Sequence, residues 1–120
     1  MVLTFERTGK GPALVLIHGL GSARTVWKPV TSALAARFDV IAVDLPGHGQ
    51  TPWVRGTPMD PLGLAGHVRD TLDALGVARV HVLGNSLGAQ IGFALCGGLQ
   101  GLIVFIYQCI VCAEIGRAHV

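Results

Sequence analysis

Three short apolar runs rich in β-branched residues govern what this chain can fold into: "ALVLIHG" at 13–19, "DVIAVDLPG" at 39–47 and "VHVLGNS" at 80–86. Each is nearly continuous, which suits a strand buried on both faces, and helical patterns separate them. That order is the signature of β-α-β units, hence an α/β fold with a mostly parallel sheet of four or five strands and helices on both faces. Each run reaches a glycine at or near its end, Gly19, Gly47 and Gly84. The carboxyl end of each strand therefore opens into a loop, which is where open α/β sheets bind ligands.

The connecting segments fit this frame. "VLTFERTGKGP" predicts an edge strand that turns at Gly9-Lys10-Gly11 into the first run. In "TVWKPVTSALAARF", Val26, Val30 and Leu34 are four apart, with Trp27 beside them, and predict one apolar helical face. The helix before the third run is marked more fully. Asp60 can cap it, Pro61 takes the first position, Leu64, Val68, Leu72 and Leu75 line one side, and Gly76 stops it. "GHGQTPWVRGTPMD" is loop by composition.

Composition narrows the classes. At 120 residues the chain holds one domain. Only 13% of residues are charged and 51% are hydrophobic, against roughly a quarter charged in ordinary soluble domains, so either the chain is membrane-associated or part of its cover is missing. The nine basic residues are scattered singly, which leaves no footprint for nucleic acid. The three cysteines, Cys96, Cys109 and Cys112, fit neither a disulfide framework nor a zinc site, and a reducing, cytoplasmic setting is expected. Glu6 and Arg7 stand where the apolar core of a signal peptide would be. The most apolar stretch, "GLIVFIYQCIVCA", falls short of the roughly twenty residues of a membrane helix, so a membrane span is not expected.

The chemistry gathers at the strand ends. "GNSLG" at 84–88 is a GxSxG sequence that follows an expected strand and opens an expected helix, with Leu87, Ile91 and Leu95 at helical spacing. A strand that turns directly into a helix brings Gly84 and Gly88 against neighbouring backbone, where a Cβ would clash. The bend lifts Ser86 onto a strained apex, and the free N–H groups of the helix that starts there favour an anion. "HGLG" at 18–21, with His18 and Gly19 at its start, can present the Leu20 N–H beside the Leu87 N–H to a developing oxyanion.

"VLIHGLGSARTVW", "VIAVDLPGHGQT" and "VHVLGNSLGAQ", in this order and spacing, resemble the first half of an α/β-hydrolase, over about residues 3–96. The resemblance implies that Ser86 is the nucleophile, that Leu20 and Leu87 form the oxyanion hole, and that Asp44 to Gly49 shape the pocket wall. It implies hydrolysis of a small-molecule ester, lactone or carbon–carbon bond through an acyl-serine, with no metal and no cofactor. Two alternatives stay open: a hydroxynitrile lyase or cofactor-free oxygenase on the same scaffold, and a non-enzymatic binding or membrane-tethered fragment. The blander reading of Ser86 is a helix N-cap. His18 reads as a hydrogen-bonder that organises its loop rather than as a base, and His48 as a loop residue at the pocket rim. Asp44 reads as fixing its own loop, His67 and His81 as exposed positions, and Cys96 as a small core residue.

Two features unsettle activity. The triad order in this fold is Ser, acid, His, yet after Ser86 only Glu114 and His119 follow, five residues apart, and they are not assigned those roles. A serine without a base is a weak nucleophile, so the chain as it stands is expected to be inactive. The tail from 97 to 120 also changes character, with four isoleucines, two of the three cysteines and no lysine or proline. Its close, "EIGRAHV", is what GAG-ATC-GGA-AGA-GCA-CAC-GTC encodes, a string that looks like a sequencing-library adapter. The expectation is a domain part at 1–96 and a tail at 97–120 that is chimeric or artefactual. A native tail would place a strand at Leu102 to Tyr107.

Overall fold

A computed structural model describes residues 1–95 and the strands at 105–107 and 110–116. Cys96 and His119 lie outside the described residues, as does the first part of the strand expected at Leu102 to Tyr107. The described elements run β1 (Phe5–Thr8), β2 (Ala13–Ile17), a short 3-10 turn (Arg24–Trp27), α1 (Lys28–Ala35), β3 (Asp39–Val43), α2 (Pro61–Ala74), β4 (Arg79–Asn85), α3 (Leu87–Leu95), β5 (Phe105–Tyr107) and β6 (Ile110–Gly116).

The strands form one sheet in the order β1-β3-β2-β4-β6-β5. β2 pairs in parallel with β3 on one side and with β4 on the other. β1 and β6 run antiparallel to their neighbours, so β2, β3, β4 and β5 share one direction. The edge strand β1 pairs with β3, not with the β2 that follows it, so the turn at Gly9–Gly11 does not close a hairpin. Because β3 lies to one side of β2 and β4 to the other, the winding reverses at β2, and right-handed crossovers then put successive helices on opposite faces. The crevice left by such a reversal opens at the carboxyl ends of β2 and β4.

Alternation along the strands feeds two cores. Val15, Ile17, Ile41, Val43, Val80 and Val82 meet Leu64, Val68 and Leu72 of α2 and Ile91 and Leu95 of α3 in the larger one. Leu14, Leu16, Val40 and Ala42 meet Trp27, Leu34 and Ala35 on the other face. Burying each such side chain contributes about 1.5–3 kcal/mol, so the α2–α3 face dominates the stability of the sheet. Val26 and Val30, expected inside, are 49% and 43% exposed, whereas Trp27 is buried. The 3-10 turn explains the correction: α1 starts only at Lys28, and the buried or half-buried stripe becomes Trp27, Thr31, Leu34, Ala35 and Phe38. His67 and His81 are half-buried rather than exposed, His81 lying edge-on to Phe38 at 5.7 Å.

The second helix ends as its sequence requires. Gly76 has φ 71, its N–H reaches the Asp73 carbonyl at 3.0 Å, and the Val77 N–H reaches the Leu72 carbonyl at 2.9 Å. These paired bonds use carbonyls the helix would otherwise leave open, and Val77 joins the same core as Leu72. Gly76→Ala is therefore expected to destabilise the fold by about 1–2 kcal/mol, the cost of a left-handed non-glycine. Gly66→Ala, at an exposed position inside α2 with nothing within 4 Å of the added Cβ, should stabilise by about 0.5–1 kcal/mol. Urea unfolding of both variants checks this pair; midpoints that move in the same direction would contradict it.

Candidate functional site

Ser86 stands between the last residue of β4 and the first of α3 with φ 57, a left-handed conformation found at no other non-glycine among the described residues. Such a backbone costs on the order of 1–3 kcal/mol and persists only where the surroundings hold it. Here the holding is steric. A Cβ on Gly84 would run into the Gly88 carbonyl and the Ala89 nitrogen, and one on Gly88 would run into the carbonyl groups of Ile17 and His18. The two glycines thus let the first turn of α3 press onto the ends of both β4 and β2. The Ser86 carbonyl accepts the N–H groups of Ala89 and Gln90 at 2.9 and 3.3 Å, and the side chain is exposed at the crevice. The Leu87 N–H, in the first turn, is one of the donors an α-helix leaves without an internal acceptor.

The loop after β2 sits against this apex. A Cβ built on Gly19 would lie 3.4 Å from the Ser86 Cβ and 3.9 Å from its Oγ. Residues 19–22 make a tight turn, closed by the Ser22 N–H on the Gly19 carbonyl at 3.1 Å, with Gly21 at φ 78 in its third position. Leu20 occupies the tip, its residue surface 74% exposed. Gly19 thus stands against Ser86, with Leu20 and Leu87 the residues that follow each of them in the chain, while Gly84 and Gly88 act from below.

His18 is fully buried under the turn. Its Nε2 accepts the Leu45 N–H at 3.0 Å, so Nδ1 carries the proton and donates to the Gly19 carbonyl at 2.7 Å. Burial is the largest influence on this ring and lowers its pKa below the ordinary histidine range; His48 acts in the same sense, the Gly19 carbonyl and Asp44 against it. With both nitrogens engaged, His18 has no lone pair to offer Ser86. His48, half-buried on the loop after β3, repeats the pattern: Nε2 accepts the Gly21 N–H at 2.9 Å and Nδ1 donates to the Pro46 carbonyl at 3.0 Å.

Asp44 does more than fix its own loop. Its buried carboxylate accepts the Gln50 N–H at 2.9 Å from that loop, and also the Arg24 N–H at 2.7 Å and the Arg24 guanidinium from the loop after β2. Arg24 reaches on to Glu6 at 3.1 Å and Gln50 at 3.3 Å. Burial by itself would raise the Asp44 pKa; the two backbone donors and the guanidinium outweigh it and lower the value. The sequence does not mark Arg24, because one arginine in a loop carries no signal of a partner twenty residues away. Among the described residues no group of three His, Cys, Asp or Glu side chains could hold a metal ion, and no helix is long and apolar enough to cross a membrane. Glu114 lies on β6 in register with His81.

The chain matches the sequence model of the alpha/beta hydrolase family over residues 14–118. It is 44% identical over 87 residues to an uncharacterized protein of Mycobacterium tuberculosis, a match that takes in 72% of this chain and 25% of that protein. It is 40% identical over 102 residues to the pimeloyl-[acyl-carrier protein] methyl ester esterase of Aeromonas hydrophila, covering 79% of this chain and 36% of the esterase. Its fold superposes on the enol-lactonase from Burkholderia xenovorans LB400 with a TM-score of 0.74 and 32% identity, over 78% of this chain and 37% of that one. The chain thus spans a quarter to little more than a third of the length of the relatives it matches.

Removing one side of the Asp44–Arg24 pair strands the other. Asp44→Asn is expected to cost about 3–5 kcal/mol, the range for breaking a buried ion pair, read as a fall in the urea midpoint. A loss under about 1 kcal/mol would mean that the pair behaves as an exposed one. The lowered Asp44 pKa also fixes a sign. Its contribution is present above the unfolded value near 3.9 and is lost as pH falls through the lower folded value, so Asp44→Asn should flatten that acid limb.

Proposed function

The chain belongs to the alpha/beta hydrolase family, and on that premise we propose that Ser86 is its nucleophile in the hydrolysis of an ester, lactone or carbon–carbon bond. The observation that carries this reading is the strained Ser86 backbone at the crevice where the winding reverses, with the Gly19 turn beside its Oγ. The names of two matched proteins, a methyl ester esterase and an enol-lactonase, support the substrate class. In this reading Ser86 Oγ attacks the carbonyl carbon, its proton passes to a base, and the Leu20 and Leu87 N–H groups receive the negative oxygen. Collapse of that intermediate expels the leaving group, and water then releases the acid from the acyl-serine. The reading calls for no metal or cofactor, takes a small-molecule substrate and sets the protein in the cytoplasm.

The base and its acid partner are not assigned to Glu114 or His119. We place them in sequence beyond these residues, as the lengths of the relatives allow, and regard 1–96 as the first part of the domain. The tail at 97–120 is proposed to be chimeric or artefactual. A right-handed crossover through α3 would put a parallel strand beside β4, and β6 occupies that place antiparallel. The change in composition near Gly97 points the same way. Resequencing the locus from intact DNA tests this: a continuous open frame ending in the same heptapeptide would show the tail to be native.

A thiol separates the position of Ser86 from its activation, because a thiolate attacks without a general base and is stabilised at a helix N-terminus. Ser86→Cys is expected to release one p-nitrophenol per chain in a burst from p-nitrophenyl acetate at pH 8, over the background of the same chain with Ser86 intact. Acylation no faster than that of a free thiol in solution would remove the proposed nucleophile. The Ser86 chain itself should show no turnover that depends on Ser86.

A further inference from the structure

We infer that His18 and His48 form a reciprocal latch, two positioning residues that hold the Gly19–Gly21 turn against Ser86 only while both rings are neutral. The inference rests on the proposal that the Leu20 N–H receives the oxyanion, and it adds a means of controlling that donor.

The geometry is two ties of opposite sense between two loops. His18, at the start of the loop after β2, accepts the N–H of Leu45 in the loop after β3 at 3.0 Å. His48, in the loop after β3, accepts the N–H of Gly21 in the loop after β2 at 2.9 Å. Each ring spends its Nδ1 proton on a carbonyl of its own loop, Gly19 for His18 and Pro46 for His48. The tautomer of each is thereby set by the bond at its other nitrogen. Leu20 lies between the two residues these bonds hold: the Gly19 carbonyl takes the His18 proton, and the Gly21 N–H is given to His48.

A proton added at Nε2 turns an acceptor into a donor that faces another donor, so the tie does not weaken but reverses. The rings lie 5.1 Å apart, and two imidazolium charges at that distance repel. Among the described residues, the ionisable groups that act on His18 are His48 and Asp44, with the Arg24 guanidinium paired to the Asp44 carboxylate and Glu6 beyond it on β1. Helix α3 brings none, since Leu87–Leu95 contains no charged residue. Each Nε2 faces a backbone N–H and not an acceptor, and the lowered His18 pKa, set chiefly by burial and only partly opposed by the Gly19 carbonyl and Asp44, accords with a site kept neutral.

The test uses Ser86→Cys with two reagents. Acylation by p-nitrophenyl acetate and alkylation by iodoacetamide both need the thiolate, but only acylation develops an oxyanion, so the ratio of the two rates reports the donors alone. Relative to a free thiol, the ratio should be high at pH 8 and fall, by on the order of a hundredfold if one donor is lost, as pH is lowered to about 5. His48→Phe, which removes the acceptor, should lower the ratio at pH 8. His48→Gln, whose amide oxygen can take the Gly21 N–H and does not titrate, should recover most of that loss and shrink the fall with pH. A high ratio that is flat in pH, or that ignores His48→Phe, overturns the latch and leaves the oxyanion reading standing. A ratio no better than the free thiol's at pH 8 overturns the oxyanion reading, and the latch with it.

Discussion

Everything at the crevice depends on one close approach, the first turn of α3 pressed onto the carboxyl ends of β2 and β4. The Gly88 position touches the Ile17 and His18 carbonyls so closely that no side-chain atom fits there, and Gly84 is closed off in the same way by Gly88 itself. With the helix this near, the chain has no residues to spend on a loop between β4 and α3, and the residue at the bend must take a left-handed backbone. The same contact carries the N-terminal end of α3, with its unpaired N–H groups, to the mouth of the sheet. Strain at one residue and an electropositive crevice are thus two results of one packing decision.

The loops that complete the crevice are held by polar groups rather than by apolar packing. Three donors from two loops converge on the Asp44 carboxylate, and two histidines tie the same loops together in both directions. Buried polar groups of this kind are expensive when half satisfied and directional when fully satisfied. An apolar plug could have filled the space, but it would not have fixed where the Leu20–Gly21 peptide points. The apolar mass is concentrated instead on the α2–α3 face, and a small set of hydrogen bonds does the positioning.

Local signals in the sequence are legible, and non-local ones leave little trace in it. β2 and β3 were legible as apolar runs because both faces are buried, β4 because one face is buried and the other half-buried, and α2 because Pro61, its apolar stripe and Gly76 mark its two ends and its inner face. The elbow was legible because Gly84, Ser86 and Gly88 make a short pattern between a strand and a helix, although the contacts that demand Gly88 come from Ile17 and His18 at the end of β2. The partner of β1 was not, since which strand an edge adopts is decided by the crossover order and not by the turn that precedes it. The inward face of α1 differs from the one the spacing predicts because a 3-10 turn shifts the phase before the helix begins, leaving Val26 and Val30 outside. Arg24 and the paired roles of His18 and His48 were invisible for a different reason. A hydrogen bond between two loops leaves no periodicity, and only the fold reveals which polar residues have been brought together.

The left-handed backbone of Ser86 also limits which chemistries the site could ever adopt. A β-branched residue is strongly disfavoured at φ 57, whereas Asp and Asn tolerate it. Threonine, the closest chemical relative of serine, is therefore the more disruptive replacement, and a carboxylate the easier one. The backbone at this bend acts as a filter on side chains, admitting a hydroxyl, thiol or carboxylate on an unbranched Cβ and rejecting the secondary alcohol. The range of reactions open to the scaffold is in this sense written in a dihedral angle before any substrate is chosen.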